Sequence, residues 1–164
     1  MNKIKSGKHN NKRLMLLFYI GNKRYALDAA NVEEIIPLVK IEEITEDNEK
    51  LAGHINYRGR MIPVIDMARH LHGRPSRKML STRIMIMNPG DKSEIFGIIA
   101  EKVTETQYVE DSSIEHPLLE DPQQKLNGIL LEKEGIVRNM KLEYLLKSVN
   151  KALPERSENK DDDK

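Results

Sequence analysis

The sequence contains no cysteine and no tryptophan, and only two phenylalanines and five tyrosines among its 164 residues. Without cysteine there is no disulfide, no thiolate nucleophile and no thiolate metal ligand. Charge of one sign is also lacking. The net charge is +1, so bulk electrostatics directs the chain neither to nucleic acid nor to an acidic substrate. No long apolar run exists either. The longest, Leu14 to Ile20, is far short of the roughly 20 residues that cross a bilayer as a helix. Lys12-Arg13 ahead of that run imitates a secretory leader, but no A-x-A-like site follows, and the expectation is a cytoplasmic protein. Phosphate-binding Gly-x-x-x-x-Gly-Lys-Ser/Thr loops and Gly-x-Ser-x-Gly elbows are missing. His70 and His72 are two apart, which on a helix points them in different directions, and His54 brings no carboxylate to complete a metal set. No catalytic residue, cofactor or metal is therefore expected.

The 38% apolar content suits a globular chain with polar ends. Residues 1–13 carry Lys3, Lys5, Lys8, Lys12 and Arg13 without an acid, and read as a disordered basic tail. Residues 154–164 read as a disordered charged tail beyond Pro154. Between them lie many short strand-like runs. Leu14–Ile20, the turn Gly21-Asn22 and Arg24–Leu27 form a predicted hairpin. Asp28–Ile36 is a short helical turn or a strand, stopped by Pro37, and Val39–Ile41 a brief strand. Thr45–Lys50 is a loop. Arg83–Met87 and Glu94–Ala100 are strands around Asn88–Asp91, Val103–Val109 is another, and Asp111–Lys125 is a long acidic loop. Leu126–Leu131 and Ile136–Met140 make a further hairpin. Leu142, Leu145, Leu146, Val149 and Leu153 then fall at helical spacing.

The stretch Gly53 to Met67 organises the rest. It reads as strand, tight turn at Arg58-Gly59, strand, and entry to a short helix Met67–Leu71 that stops before Gly73. Pro63 cannot donate to a sheet ladder, so its strand is an edge or Pro63 faces away from its neighbour. Residues 73–78, turn-rich and basic, form the crossover between halves.

Those halves repeat. Tyr25-Ala26-Leu27 precedes Val32 by seven positions, with Glu34 two further on; Phe96-Gly97-Ile98 stands in the same relation to Val103 and Glu105. Gly53 to Leu71 and Gly128 to Leu146 both span 19 residues of strand, turn, strand and helix. Each unit of about 60 residues buries too little surface to stand alone, so the two should pack on a shared seam. The expected fold is mainly β, two small barrels in tandem with short helices, within one domain over 14–153. The halves run about 14–72 and 80–146, with exchange of terminal strands allowed.

Phe18-Tyr19-Ile20-Gly21, Tyr25-Ala26-Leu27, Val32-Glu33-Glu34-Ile35, Gly53-x-x-Asn56-x-Arg58-Gly59-x-x-Ile62-Pro63-Val64-x-Asp66, Phe96-Gly97-Ile98 and Val103 together resemble the CheW-like chemotaxis coupling protein family. The resemblance runs from about Leu16 to Leu146. It implies two five-stranded SH3-like barrels related by a pseudo-twofold. It also implies a non-enzymatic adaptor linking membrane chemoreceptors to a CheA-type sensor histidine kinase, peripheral to receptor arrays. Lys141, where the family often has an acid or amide, and the acidic 111–125 loop depart from its pattern.

The candidate partner-binding residues are Val32, Glu34, Ile35, Arg58, Gly59, Val103 and Glu105. Arg58 can bind a partner's carboxylate or an internal acid such as Asp66 or Glu34. Val32, Ile35 and Ile36 cannot all face one side of an extended strand, so at least one is exposed or all serve core packing on a turn. Two other readings stand beside the adaptor: a coupler of a non-flagellar chemosensory pathway, and a small-barrel nucleic-acid binder using the basic tail and crossover.

Overall fold

The computed structural model describes residues 11–43, 51–90, 94–117 and 123–152. The Thr45–Lys50 loop and the 154–164 tail lie outside these, as do residues 1–10 of the basic tail. Ten strands, β1 (Lys12–Ile20), β2 (Lys23–Asp28), β3 (Val32–Pro37), β4 (Leu51–Tyr57), β5 (Arg60–Asp66), β6 (Arg83–Met87), β7 (Phe96–Ala100), β8 (Lys102–Glu110), β9 (Leu126–Glu132) and β10 (Gly135–Met140), build two five-stranded sheets. Helix α1 (Met67–His72) follows β5 and α2 (Leu142–Ala152) follows β10.

Sheet A has the order β8-β1-β2-β10-β9 and sheet B the order β3-β6-β7-β5-β4. Under the sequence repeat, β1 to β5 correspond to β6 to β10, and the two orders become identical. Neither sheet coincides with one half of the chain. Sheet A joins β1 and β2 to three strands of the second half; sheet B joins β6 and β7 to three strands of the first. The mixed pairs are β1·β8, β3·β6 and two parallel ones, β2·β10 and β5·β7. The exchange ties the halves into one body, as the small size of each requires.

Strand alternation divides the side chains between three cores. Leu16, Phe18 and Ile20 of β1, with Met85 and Met87 of β6, enter the seam between the sheets, where α1 gives Met67 and α2 gives Leu145 and Val149. The intervening Met15 and Leu17 line sheet A's own cluster, and Ile84 and Ile86 that of sheet B. Each fully buried large apolar side chain contributes about 1.5–3 kcal/mol.

Several boundaries differ from expectation. β1 begins at Lys12, within the predicted basic tail, because the Arg13 guanidinium is held by Asp111 at 2.7 Å. Val39–Ile41 forms no strand. Only Glu42 bridges, pairing with His54 on β4. That bridge explains Gly53: an added Cβ would stand 2.5 Å from the Glu42 carbonyl oxygen. Gly128 meets the Glu115 carbonyl oxygen at 2.6 Å in the same way. β5 is not an edge, since it lies between β4 and β7. His54 turns its own N–H and C=O to Glu42, so Pro63 opposite it is a non-hydrogen-bonded pair and its nitrogen faces away from β4. Pairing with β7 starts only at Val64, so the missing donor interrupts neither ladder.

Candidate functional site: two charged clusters at matching strand bulges

β3 and β8 each carry a bulge at the same place in the repeat. Val32 opposes Met87 and Glu34 opposes Ile86, which leaves Glu33 as the extra residue. Val103 opposes Phe18 and Glu105 opposes Leu17, which leaves Thr104. A bulge re-aims the side chains next to it. Glu33 and Glu34, neighbours in sequence, therefore both reach the Tyr57 hydroxyl, which lies 3.2 Å from Glu33 Oε1 and donates to Glu34 Oε2 at 2.6 Å. Asp28 starts this segment by accepting from Ala30 N–H and capping the 3-10 turn Ala29–Asn31 that leads into β3.

Tyr57 sits at the end of β4, one residue before the Arg58-Gly59 turn. Both turn residues have positive φ, +50° for Arg58 and +80° for Gly59, as a two-residue type I′ hairpin demands. Gly59 does so freely. Arg58 is held in a left-handed conformation that side-chain-bearing residues adopt at a cost of roughly 1 kcal/mol. Asn56 Oδ1 accepts from Gly59 N–H at 2.9 Å and fixes the turn. The Arg58 guanidinium lies 5.1 Å over the Tyr57 ring, donates to Glu34 at 3.1 Å and stands 3.5 Å from Glu33. Its side chain is still 67% exposed. The hydrogen bond to Glu34, then burial, pushes the Tyr57 hydroxyl up to about 12. Asn88 completes the group by donating to Glu33 at 2.8 Å.

The other bulge is built with reversed charge. Arg24, on β2 and nearly buried, donates to Glu105 at 3.0 Å and to Glu132 at 2.7 Å. Glu134 is 3.9 Å away. Glu132 occupies the place in the β9–β10 hairpin that Tyr57 holds in β4–β5. Side chains thus join the outer strands of each sheet, β3 to β4 and β8 to β9.

Of the seven candidate residues, five come together on sheet B: Val32, Glu34, Ile35, Arg58 and Gly59. Val103 and Glu105 lie on sheet A. Val32 and Val103 are half-buried against the seam core. Ile35 is exposed at 40%, while Ile36 packs on sheet B's cluster. Glu34 and not Asp66 is the internal acid that meets Arg58. Asp66 is 3% exposed, accepts from Ala68 N–H to cap α1, and binds Ser76 through N–H and Oγ. His54 stands on β4, apart from His70 and His72 on α1.

Glu101, which is not among the candidate residues, organises the crossover. It is 1% exposed at the β7–β8 junction and accepts from Gly21 N–H at 2.7 Å, from Arg74 at 2.7 Å, and from Arg77 through N–H at 2.9 Å and its guanidinium at 3.0 Å. Burial alone would raise its pKa; the donors from Arg74, Arg77 and Gly21 outweigh burial and hold it at about 2. The two arginines offered to nucleic acid by the sequence are therefore engaged within the fold. An acid directly after the wholly buried strand Phe96–Ala100 was the available signal.

The family model for the CheW-like domain matches residues 14–150. The chain belongs to the CheW-like domain family. A chemotaxis protein CheW from Helicobacter pylori is 24% identical over 132 residues, 79% of each chain. The crystal structure of the scaffolding protein TtCheW from Thermoanaerobacter tengcongensis superposes with a TM-score of 0.71 at 28% identity, covering 85% of this chain and 91% of that one. The mainly β architecture, with two five-stranded sheets and a C-terminal helix, is the CheW-like fold. By family, relative and solved structure together, this is a CheW-like scaffold of the chemotaxis class.

Proposed function

We propose that this chain is a non-enzymatic adaptor that joins the cytoplasmic tips of membrane chemoreceptors to a CheA-type sensor histidine kinase. It works in the cytoplasm, peripheral to receptor arrays. One observation carries the reading: on a CheW-like fold, an exposed arginine in a left-handed turn is held over two acids beside an exposed Ile35, at a bulge whose counterpart is wired differently. Strained, exposed residues on a rigid sheet suit recognition better than folding. Val32, Glu34, Ile35, Arg58 and Gly59 form one docking surface, and Val103 and Glu105 belong to a second. Among the described residues no helix is long and apolar enough to cross a membrane, which fits attachment through receptors.

The test mixes the purified chain with a receptor-tip fragment and the kinase and follows complex formation by size-exclusion chromatography. A three-component complex with receptor-dependent kinase activity is expected. A chain that binds neither protein overturns the reading.

A further inference from the structure

A second imbalance of charge lies at the seam between the sheets, outside both bulge clusters. Arg138, midway along β10, is half-buried and lies over the Tyr25 ring, 6.0 Å from its centroid. β2 and β10 run parallel there, with Arg138 opposite Tyr25. Tyr25 is 3% exposed, stacks on Phe18 at 5.9 Å, and places its hydroxyl 3.4 Å from Nε2 of His72 at the end of α1. Lys23 opens β2 and Arg74 follows α1; both act on the same imidazole. Among the described residues, Glu101 is the carboxylate at ion-pair distance from Arg74 and Arg77. Among the described residues, no carboxylate reaches ion-pair distance of Lys23 or Arg138.

A half-buried guanidinium gives up hydration, and a cation–π contact returns only about 0.5–2 kcal/mol. The fold does not require this arrangement. At the matching place in sheet B the repeat puts Phe96 and Pro63, both uncharged and one position before the β5·β7 ladder begins. The polar group belongs to one copy, so its reason lies outside the shared architecture.

We infer that Arg138 and His72, which flank the Tyr25 side chain, together with Lys23 two residues before Tyr25 on β2, form a binding site for a carboxylate carried by an acidic segment of a protein partner. The preference for an anion rests on the geometry. That the anion belongs to a protein rests on the scaffold reading. Arg138 supplies planar donors that match a carboxylate, His72 Nε2 and the Tyr25 hydroxyl supply short polar contacts, and exposed Lys23 forms the rim. The rim opens to solvent, so a free ion would remain hydrated there. A carboxylate on a protein surface arrives with its own cover, which lowers screening and strengthens the pair.

The site should respond to pH. Burial first, then Lys23, Arg74 and Arg138, hold the His72 imidazole below its ordinary 6.5, with Glu101 pulling the other way and the neutral Tyr25 hydroxyl between. A bound carboxylate favours the imidazolium, so it raises the His72 pKa, and binding strengthens as pH falls through that range.

The test follows the His72 ring protons by NMR in the full chain, assigned through His72→Gln. Polyglutamate and inorganic phosphate are titrated separately at matched ionic strength. Polyglutamate should shift the His72 signal and raise its titration midpoint. Arg138→Gln should weaken that response roughly tenfold or more, the size of a lost charge-assisted hydrogen bond. Lys23→Gln, on the exposed rim where folding is not at risk, should weaken it less. Arg60→Gln, an exposed arginine on β5, should leave it unchanged. A silent His72, or a full response retained in Arg138→Gln of unchanged melting temperature, overturns the site. Phosphate binding as tightly as polyglutamate overturns the acidic-segment occupant in favour of a free-anion site. Kinase and receptor association is scored separately, so its failure bears on the scaffold reading and leaves the His72 result standing.

Discussion

The two bulges share a backbone and differ in where they keep their cation. On sheet B, Arg58 lies outside, two-thirds exposed, over Glu33, Glu34 and Tyr57. On sheet A, Arg24 lies inside, nearly buried beneath Glu105 and Glu132, and acids face solvent. One end therefore presents a cation beside an exposed Ile35, and the other presents carboxylates. A duplicated fold can offer two unlike surfaces on equivalent scaffolds, as the proposed adaptor with two partners needs. The comparison also separates roles. A buried cation joining two outer strands is structural first, whereas an exposed cation on a strained turn is free to meet another protein.

The largest effect expected from breaking this contrast is at Arg24. Arg24→Gln leaves Glu105 and Glu132 facing each other without the cation that joins them, and should cost about 3 kcal/mol, read from chemical denaturation. Equal costs for Arg24→Gln and Arg58→Ala would end the distinction. Next comes Glu101, whose counterpart in the first half is Ala30 in the link from β2 to β3. Its folded pKa of about 2 lies below the ordinary 4.5, so its stabilisation is complete above 4.5 and is lost as pH falls toward 2. The gap corresponds to about 3 kcal/mol. Acid unfolding curves for the wild type and Glu101→Gln should therefore converge across that window. Curves that stay parallel would show that Glu101 is not the group being titrated.

Much of this was legible in the sequence because the repeat is written in local pattern. The repeated spacings of Val32 and Glu34 and of Val103 and Glu105, the two 19-residue units beginning at Gly53 and Gly128, the hairpin turns and α2 all carry short-range signals. Gly73, in the left-handed conformation at φ +66°, ends α1 where expected. Sheet membership was not legible. β3 pairs with β6 and β8 with β1, contacts between strands far apart in the chain that strand periodicity does not encode. The same distance hid Arg24, whose acids are 81 and 108 positions away. Arg58 was ambiguous for another reason. A guanidinium reaches several acids from one backbone position, and only the bulge, invisible as periodicity, brings Glu33 and Glu34 together beneath it. Pro63 allowed two readings, an edge strand or a nitrogen turned away from its neighbour; the second holds, because the parallel ladder starts one residue later.

Smaller effects on stability sharpen the other side of the comparison. Arg58→Ala removes an exposed ion pair and should change stability by less than about 1 kcal/mol. Under the proposed function it should nonetheless weaken complex formation with kinase or receptor tip, measured by the same chromatography. A large loss of stability with normal association would make Arg58 a structural residue and leave the sheet B surface without its anchor.

The finest probe is the Tyr57 hydroxyl, because it reports the acids without removing the arginine. Its pKa, raised from 10 to about 12, means the protonated form is favoured in the folded chain. The stabilisation is fully present below 10 and is lost as pH rises through about 12. Ultraviolet titration should find late-ionising tyrosines, Tyr25 among them because burial raises it, and Tyr57→Phe should remove one of those steps. Glu34→Gln should return it toward 10, since the hydrogen bond to Glu34 is the leading cause of the shift. Arg58→Ala should move it slightly the other way, because the guanidinium favours the phenolate. Opposite signs from two neighbours of one hydroxyl would demonstrate that Arg58 and Glu34 act on Tyr57 as separate charges. Sheet A cannot give this signature, since Glu132 stands where Tyr57 would be. If the step that Tyr57→Phe removes ignores both substitutions, the shift belongs to burial and the cluster is not an electrostatic unit.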